Sequence, residues 1–277
     1  MVAPVTVNGR GPFRFIIDTG ANRSALSQNL ADELGLSPFG TGDVHSINGV
    51  SPAPLVEAQS LQYGDVSLAA EVMPLLDGAM MGGQQGLLGV DGMRGMRLRI
   101  DFDRRCIELS ASSQARRLGG WVTLRGELRF GHLVLVRGRV ENLAVNIFID
   151  TGSDSTLANF ALRDGLRNRV RVERVDAARA YTAGRAIVLD RALVLPRIRM
   201  GSVEARDVLA YVGDFHIFHL WNLSDEPALL IGMDVLSQTG GIAIDYERAT
   251  VQFRLRHPPR MGSRLSGPSR AGVTISH

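Results

Sequence analysis

The amino-acid sequence predicts a mostly β protein built from two pseudo-symmetric β-barrel lobes with short helices. The first observation is a repeat. Phe15 to Leu26 reads Phe-Ile-Ile-Asp-Thr-Gly-Ala-Asn-Arg-Ser-Ala-Leu, and Ile147 to Leu157 reads Ile-Phe-Ile-Asp-Thr-Gly-Ser-Asp-Ser-Thr-Leu, close to half the chain later. The second is that further landmarks repeat in the same order, as a duplicated lobe requires. The third is composition: 277 residues with 45% hydrophobic content suffice for one large or two modest cores, and glycine with β-branched residues favours strands.

Each copy of the repeat is an apolar strand that ends abruptly in Asp-Thr-Gly. Burying a carboxylate is costly unless something specific holds it, so Asp18 and Asp150, straight after apolar residues, are the candidate functional groups. Gly20 and Gly152 are expected to let the chain turn sharply. One Asp-Thr-Gly would mean only a turn at a strand end. Here, however, Gly86-Leu87-Leu88-Gly89-Val90-Asp91 matches Leu229-Leu230-Ile231-Gly232-Met233-Asp234, and Arg99-Ile100-Asp101-Phe102 matches Ala243-Ile244-Asp245-Tyr246. Between them, Asn48-Gly49 and Ala183-Gly184 match as hairpin tips, and Tyr63-Gly64-Asp65-Val66 matches Met200-Gly201-Ser202-Val203 as a second turn.

These residues resemble a lobe of the pepsin and retropepsin aspartic proteases: a strand running into Asp-Thr-Gly-(Ser/Ala), a flap hairpin, then two apolar residues and a Gly that opens a short helix. The resemblance covers residues 1 to about 256. The first motif, with Ala21, is closer to retropepsins, and the second, with Ser153, to pepsin; each lobe is short, yet both sit on one chain. The resemblance implies an aspartic endopeptidase acting on a peptide or protein, with Asp18 and Asp150 facing each other and sharing a proton. One acts as base towards a water, the other as acid towards the peptide carbonyl, with no covalent intermediate, metal or cofactor. It further implies that Thr19 and Thr151 cross-link the two loops, with Gly20, Gly152 and Ser153 as support. The hairpins around Asn48, Gly49, Tyr181 and Gly184 become flaps over an extended peptide. By resemblance to pepsin, the Ser153 hydroxyl points at Asp150, which should hold the charge while Asp18 holds the proton. Because both halves are present, the expected unit is a monomer with an intramolecular dyad; lobes pairing between chains is a further reading.

Two features depart from the family pattern. The first flap, Val44 to Val50, has no tyrosine, and Asp154 adds a carboxylate beside the second motif. The rival reading is a catalytically silent peptide-binding or scaffold protein of the same fold. The intact aspartate in both motifs argues against it.

In chain order, the first lobe is assigned to residues 1–112. Val2 to Val7 turns at Asn8-Gly9 into Phe13 to Ile17, the turn dipeptide and the alternation agreeing on a hairpin. Ser27 to Leu36 predicts a short helix, with Ser27 as N-cap and Gly35 near its end. Residues 43–76 supply three or four strands, and Asp77 to Gly86 reads as a mobile Gly-rich surface loop without the Gly-Lys-(Ser/Thr) ending of a phosphate loop. A linker is expected at 113–118, within the polar stretch Ser110 to Arg117, and the second lobe at 119–256. Its first strand, Trp121 to Leu124, has no counterpart in the first half; it joins a sheet beneath both lobes, as in pepsin-like enzymes, or replaces a missing N-terminal strand. Residues 257–277 read as a flexible polar tail.

Other classes of function find less support. The net charge is +3, and all 31 basic residues are arginine, spread along the chain with pairs at Arg104-Arg105 and Arg116-Arg117 but no aromatic-interleaved stripe. Nucleic-acid binding is therefore not expected. His216 and His219 lack further ligands at a zinc-like spacing, and Asp101-Phe102-Asp103 lacks the Gly and Glu of a calcium loop. No Gly-x-Ser-x-Gly elbow marks a serine hydrolase. Cys106, the only cysteine, is expected to be a buried, inert thiol. There is no run of 18 apolar residues, so the chain as given is expected to be soluble. Its location is open: periplasmic or secreted if an export signal precedes Val2 in the full protein.

Overall fold

The structure, a computed structural model, describes residues 1–256 and 272–275, except 48, 69–71, 117, 131–132, 167–168 and 182–185. The first half contributes β1 (Val2–Val7), β2 (Arg10–Ile17), β3 (Ala25–Ser27), β4 (Gly40–Ser46), β5 (Gly49–Glu57), β6 (Leu61–Tyr63), β7 (Val66–Leu68), β8 (Val72–Leu76) and β9 (Gly86–Leu88), with helix α1 (Gln28–Leu34). Among the described residues these strands form one sheet in the order β4-β5-β8-β3-β9-β2-β1-β6-β7.

Local chemistry explains the entry into this sheet. Asn8 and Gly9 take φ of 50° and 71°, the left-handed turn that matches strand twist, and β1 buries alternate residues, Ala3, Val5 and Val7. The predicted helix forms as α1: the Ser27 side chain accepts from the Leu30 N–H, and Gly35 closes the end at φ 70°. The expected mobile loop after Asp77 is more ordered than its glycines suggest. The Asp77 carboxylate accepts from the Ala79 N–H and starts a 3₁₀ turn over Gly78–Met81.

The second half repeats the plan with β13 (Leu133–Val140), β14 (Leu143–Ile149), β15 (Thr156–Ala158), β16 (Arg171–Tyr181), β17 (Ala186–Met200), β18 (Val203–Val212) and β19 (Ala228–Ile231), and helices α2 (Phe160–Leu166), α3 (His216–Leu220) and α4 (Met233–Leu236). The two halves meet in a shared layer. It is built from β10 (Met96–Asp101) and β11 (Cys106–Ala111), which follow the first half, and β12 (Val122–Arg129), β20 (Gly241–Asp245) and β21 (Thr250–Arg254) from the second, in the order β11-β10-β20-β21-β12. β12, the strand without a counterpart, thus joins the sheet beneath both lobes. The central pairing, Ile100 opposite Ile242 and Leu98 opposite Ile244, buries all four side chains, and they belong to one apolar cluster that runs through both lobes.

Polar cross-links fasten this layer. Arg254 donates to the buried Asp101 carboxylate at 2.7 Å, and the Ser112 hydroxyl donates to Asp245 at 2.7 Å. Ser112, at the edge of the expected linker, is fully buried. Cys106 is exposed, contrary to expectation: β11 is an edge strand paired only with β10, so its outward positions face water. Part of the expected tail is also structured. Gly272–Ile275 forms β22 against the lower half of β18, where the three-residue β15 is too short to cover the edge. Among the described residues, no helix is long and apolar enough to cross a membrane.

Candidate active site

The two Asp-Thr-Gly motifs are delivered by equivalent pairs of parallel strands. Ile17 on β2 lies opposite Leu88 on β9, and Ile149 on β14 lies opposite Ile231 on β19. The next residue in each case keeps the register: the Asp18 N–H donates to Leu88 O at 3.0 Å, and the Asp150 N–H to Ile231 O at 2.9 Å. Both aspartates are therefore held by strands whose neighbours are apolar and buried.

Beneath each motif runs the matched glycine turn. The Val90 N–H donates to Ala21 O at 2.9 Å and the Met233 N–H to Ser153 O at 2.8 Å. A Cβ on Gly89 would lie 2.6 Å from the carbonyl carbon of Arg23, and one on Gly232 2.6 Å from Ser155 O, so only glycine lets these turns sit so close. Asp91 and Asp234, two residues on, then anchor the far side of each loop. Asp91 accepts from the Ser24 N–H and hydroxyl, and Asp234 from the Thr156 N–H and hydroxyl. These anchors were not assigned a role from sequence, although their signal was present in the repeated spacing of the two aspartates past Gly89 and Gly232. Burial pushes the Asp234 carboxyl up, against the hydrogen bonds from Thr156.

The two loops are cross-linked reciprocally. The Thr19 N–H donates to Thr151 Oγ1 at 3.2 Å and the Thr151 N–H to Thr19 Oγ1 at 3.0 Å. Each hydroxyl in turn donates across the axis, Thr19 to Ile149 O and Thr151 to Ile17 O, both at 2.7 Å. Four buried hydrogen bonds so fix one loop against the other, and the Asp18 and Asp150 carboxyls end up hydrogen-bonded to each other.

Gly20 and Gly152 serve this approach rather than a sharp turn. Neither has a positive φ. Each faces the opposite carboxyl: a Cβ on Gly152 would lie 2.3 Å from Asp18 Cγ, and one on Gly20 2.7 Å from Asp150 Cγ. The glycine requirement therefore comes from the partner lobe.

The expected asymmetry of the pair loses the contact it was based on. Ser153 Oγ donates to Ser155 O at 2.7 Å, closing a local turn instead of serving Asp150. Asp18 Oδ1 accepts from two backbone N–H groups, Gly20 at 2.9 Å and Ala21 at 3.0 Å. Burial raises the pKa of both carboxyls. For Asp150 the nearby Asp18 charge raises it further, to well above the usual carboxylate range, and backbone N–H groups oppose the rise at both, Gly20 and Ala21 at Asp18, Gly152 and Ser153 at Asp150. Two carboxyls in such contact cannot both ionise cheaply, so they share one proton and titrate as a unit. It follows that Ser153→Ala should leave the acidic limb of any pH–rate profile unmoved, as a steady-state pH series would read.

Above the pair lies a cleft of about 580 Å³ with Asp18, Asp150, Gly20 and Gly152 on its floor. Its roof on one side is the hairpin β4–β5, with Ser46 opposite Gly49; Asn48 lies outside the described residues. The second expected flap is the hairpin β16–β17, whose backbone pairs as far as Tyr181 opposite Ala186. Its tip, with Gly184, and the Tyr181 side chain lie outside the described residues. Asp154 is exposed and is not among the residues lining the cleft.

Two other polar clusters stand apart from the floor. His219 links Asp214 (2.6 Å) to Ser224 (2.8 Å) across the ends of α3. Its order is that of a hydrolytic triad, but the Asp214 side chain is 69% exposed, so the cluster lies in solvent rather than in a desolvated site. Tyr246, by contrast, is buried, and its hydroxyl has no partner among the described residues. Burial, with the charges of Asp18 and Asp150 adding, pushes its ionisation far above the ordinary phenol value. Phe102 occupies the matching position in the first half. Tyr246→Phe is accordingly expected to raise stability by about 1 kcal/mol or more by removing an unpaired buried hydroxyl, as denaturant titration would read; a clear loss would reveal a hidden partner.

A family model described as "Aspartyl protease" matches residues 3–91 and 136–235 of this chain. No curated protein matches it. The two matched segments fall on the duplicated halves, each carrying one Asp-Thr-Gly loop and one glycine turn, and together they span well over half of the sequence: this chain belongs to the aspartyl protease family, with two lobes on a single polypeptide.

Proposed function

We propose that the protein is an aspartic endopeptidase that hydrolyses peptide bonds with one water activated between Asp18 and Asp150. The observation that carries this reading is the reciprocal Thr19–Thr151 lock, which supports two carboxyls in hydrogen-bond contact at the floor of a cleft roofed by the β4–β5 flap. A silent descendant would be under no demand to keep a buried acid pair whose ionisation is costly. In this reading Asp18 is the carboxylate and takes the proton of the attacking water. Asp150, the protonated member, donates to the carbonyl oxygen as the tetrahedral species forms. The β4–β5 flap excludes bulk water and contributes backbone hydrogen bonds to an extended peptide.

Incubation with a diverse peptide mixture between pH 3 and 7, with and without pepstatin, tests the proposal. Cleavage at internal bonds that pepstatin abolishes is the expected result. A folded protein that binds peptides from the mixture yet cleaves none would favour the scaffold reading instead.

A further inference from the structure

The β4–β5 flap does not hang free over the cleft. Its His45 Nδ1 lies 3.1 Å from Nε2 of His216, the first residue of α3 in the other lobe, with the two rings only 10° from parallel. One residue past Ser46, Ile47 packs against the apolar cluster of the second lobe that contains Phe215, Phe218 and Trp221. The flap therefore spans the cleft from lobe to lobe and is fastened at its far end by one polar and one apolar contact. We propose that the His45–His216 pair is a proton-sensitive latch that holds this flap shut across the cleft near neutral pH and releases it in acid. The proposal names a regulation of the site described above and in that sense rests on the endopeptidase reading, although the latch itself is a property of the flap.

The chemistry is that of two imidazoles sharing a hydrogen bond. Such a bond needs one N–H and one lone pair, so the pair tolerates neutrality or one added proton. A second proton removes the acceptor and sets two cations face to face at the same 3.1 Å. The surroundings carry groups of both signs. From α3, His219 adds a further imidazole, itself engaged by Asp214 and Ser224. From β4 comes Asp43, which lines the cleft with Arg23, Asp18 and Asp150 from the floor. The net influence on His216 is downward: burial first, then His45, then His219 hold it below the ordinary imidazole value of 6.5.

The sign follows from linkage. In the closed form His216 is depressed, and in the open form it loses His45 and its burial and returns towards 6.5. The open form thus binds more protons, so lowering the pH below that value favours opening. Ile47 supplies a contact that does not titrate, so the imidazole pair alone carries the pH dependence at this end of the flap.

Consequences for peptide access are direct. With the flap latched, a peptide chain cannot be laid into the cleft from above. With the flap released, the floor is open in the acid range where one proton on the dyad is also assured.

The test is a distance, so that it does not depend on hydrolysis. Spin labels are placed on the exposed flap position by Val50→Cys and on the exposed lobe-two position by Asp225→Cys, in a Cys106→Ser background. The expected result is a single short distance at pH 7.5 and a longer one growing in between pH 6.5 and 4.5, the open-to-closed ratio rising up to about tenfold per unit of pKa difference between the two forms. His45→Ala should give the long distance at both pH values. His216→Gln, which can still accept from His45 but cannot titrate, should keep the short distance at pH 4.5, and it also separates release of the latch from acid unfolding. Identical distance distributions at both pH values in the unsubstituted pair, or a pH step that survives in both variants, overturns the latch. Absence of proteolysis with the pH step intact would count against the endopeptidase reading and leave the latch standing.

Discussion

Asp18→Asn and Asp150→Asn are each expected to lower peptide hydrolysis by about 10²–10⁴-fold, the range that a positioned acid or base contributes. Either change removes one of the two roles while leaving shape and hydrogen-bond count nearly the same, since Asn retains an acceptor for the Gly20, Ala21 and Gly152 N–H groups. Mixing the two variant proteins should restore nothing, because the Thr19–Thr151 lock is made within one chain. Recovery on mixing would mean that lobes exchange between chains. The same substitution carries a second, opposite signature in stability. Burial and the Asp18 charge hold the Asp150 pKa above its ordinary 3.8, so the native protein favours the protonated form, and its stability falls as pH rises through the window between the ordinary and the raised value. Asn is neutral throughout. Asp150→Asn should therefore melt at a higher temperature than the parent near pH 7, with the difference shrinking towards pH 4, as a calorimetric pH series would show. A variant that loses activity and also loses stability equally at all pH values would point to a collapsed site rather than to a missing proton.

Gly152→Ala is the second change with a large expected effect. The added methyl would lie 2.3 Å from Asp18 Cγ and 2.4 and 2.5 Å from its oxygens, in a region where both loops are pinned by buried hydrogen bonds. Something must move by about 1 Å, and a displacement of that size at reacting groups costs on the order of 10²-fold in rate. Overpacking of this kind also destabilises by about 1–3 kcal/mol. Gly20→Ala, whose methyl would lie 2.7 Å from Asp150 Cγ, should act in the same direction and less severely. The measurements are kcat/KM on a cleaved peptide and denaturant unfolding of the same samples. Full activity in Gly152→Ala would show that the face-to-face arrangement is not the working one.

The sequence by itself determined the duplication, the mostly β class and the identity of the two carboxyls, because these are carried by local and repeated signals: an apolar strand that stops at Asp-Thr-Gly, and glycine turns recurring in order. Turn and cap chemistry was equally legible at Asn8-Gly9, Ser27 and Gly35, where the conformation is dictated by residues next to one another. Tertiary structure decided everything that depends on which distant groups meet. The need for glycine at positions 20 and 152 is set by a carboxyl on the other lobe, not by the backbone at those positions. The Ser153 hydroxyl closes a local turn onto Ser155 O at 2.7 Å, a contact set by the path of the loop rather than by the motif. Each dyad carboxyl instead accepts backbone N–H bonds from its own loop, Asp18 from Gly20 and Ala21 and Asp150 from Gly152. Cys106 reads as a core residue along the strand and turns out exposed, because strand alternation says which residues share a face but not whether the sheet has a neighbour on that side. His45 and His216 lie on different lobes with unremarkable spacing, and only the folding of the flap across the cleft brings their nitrogens together.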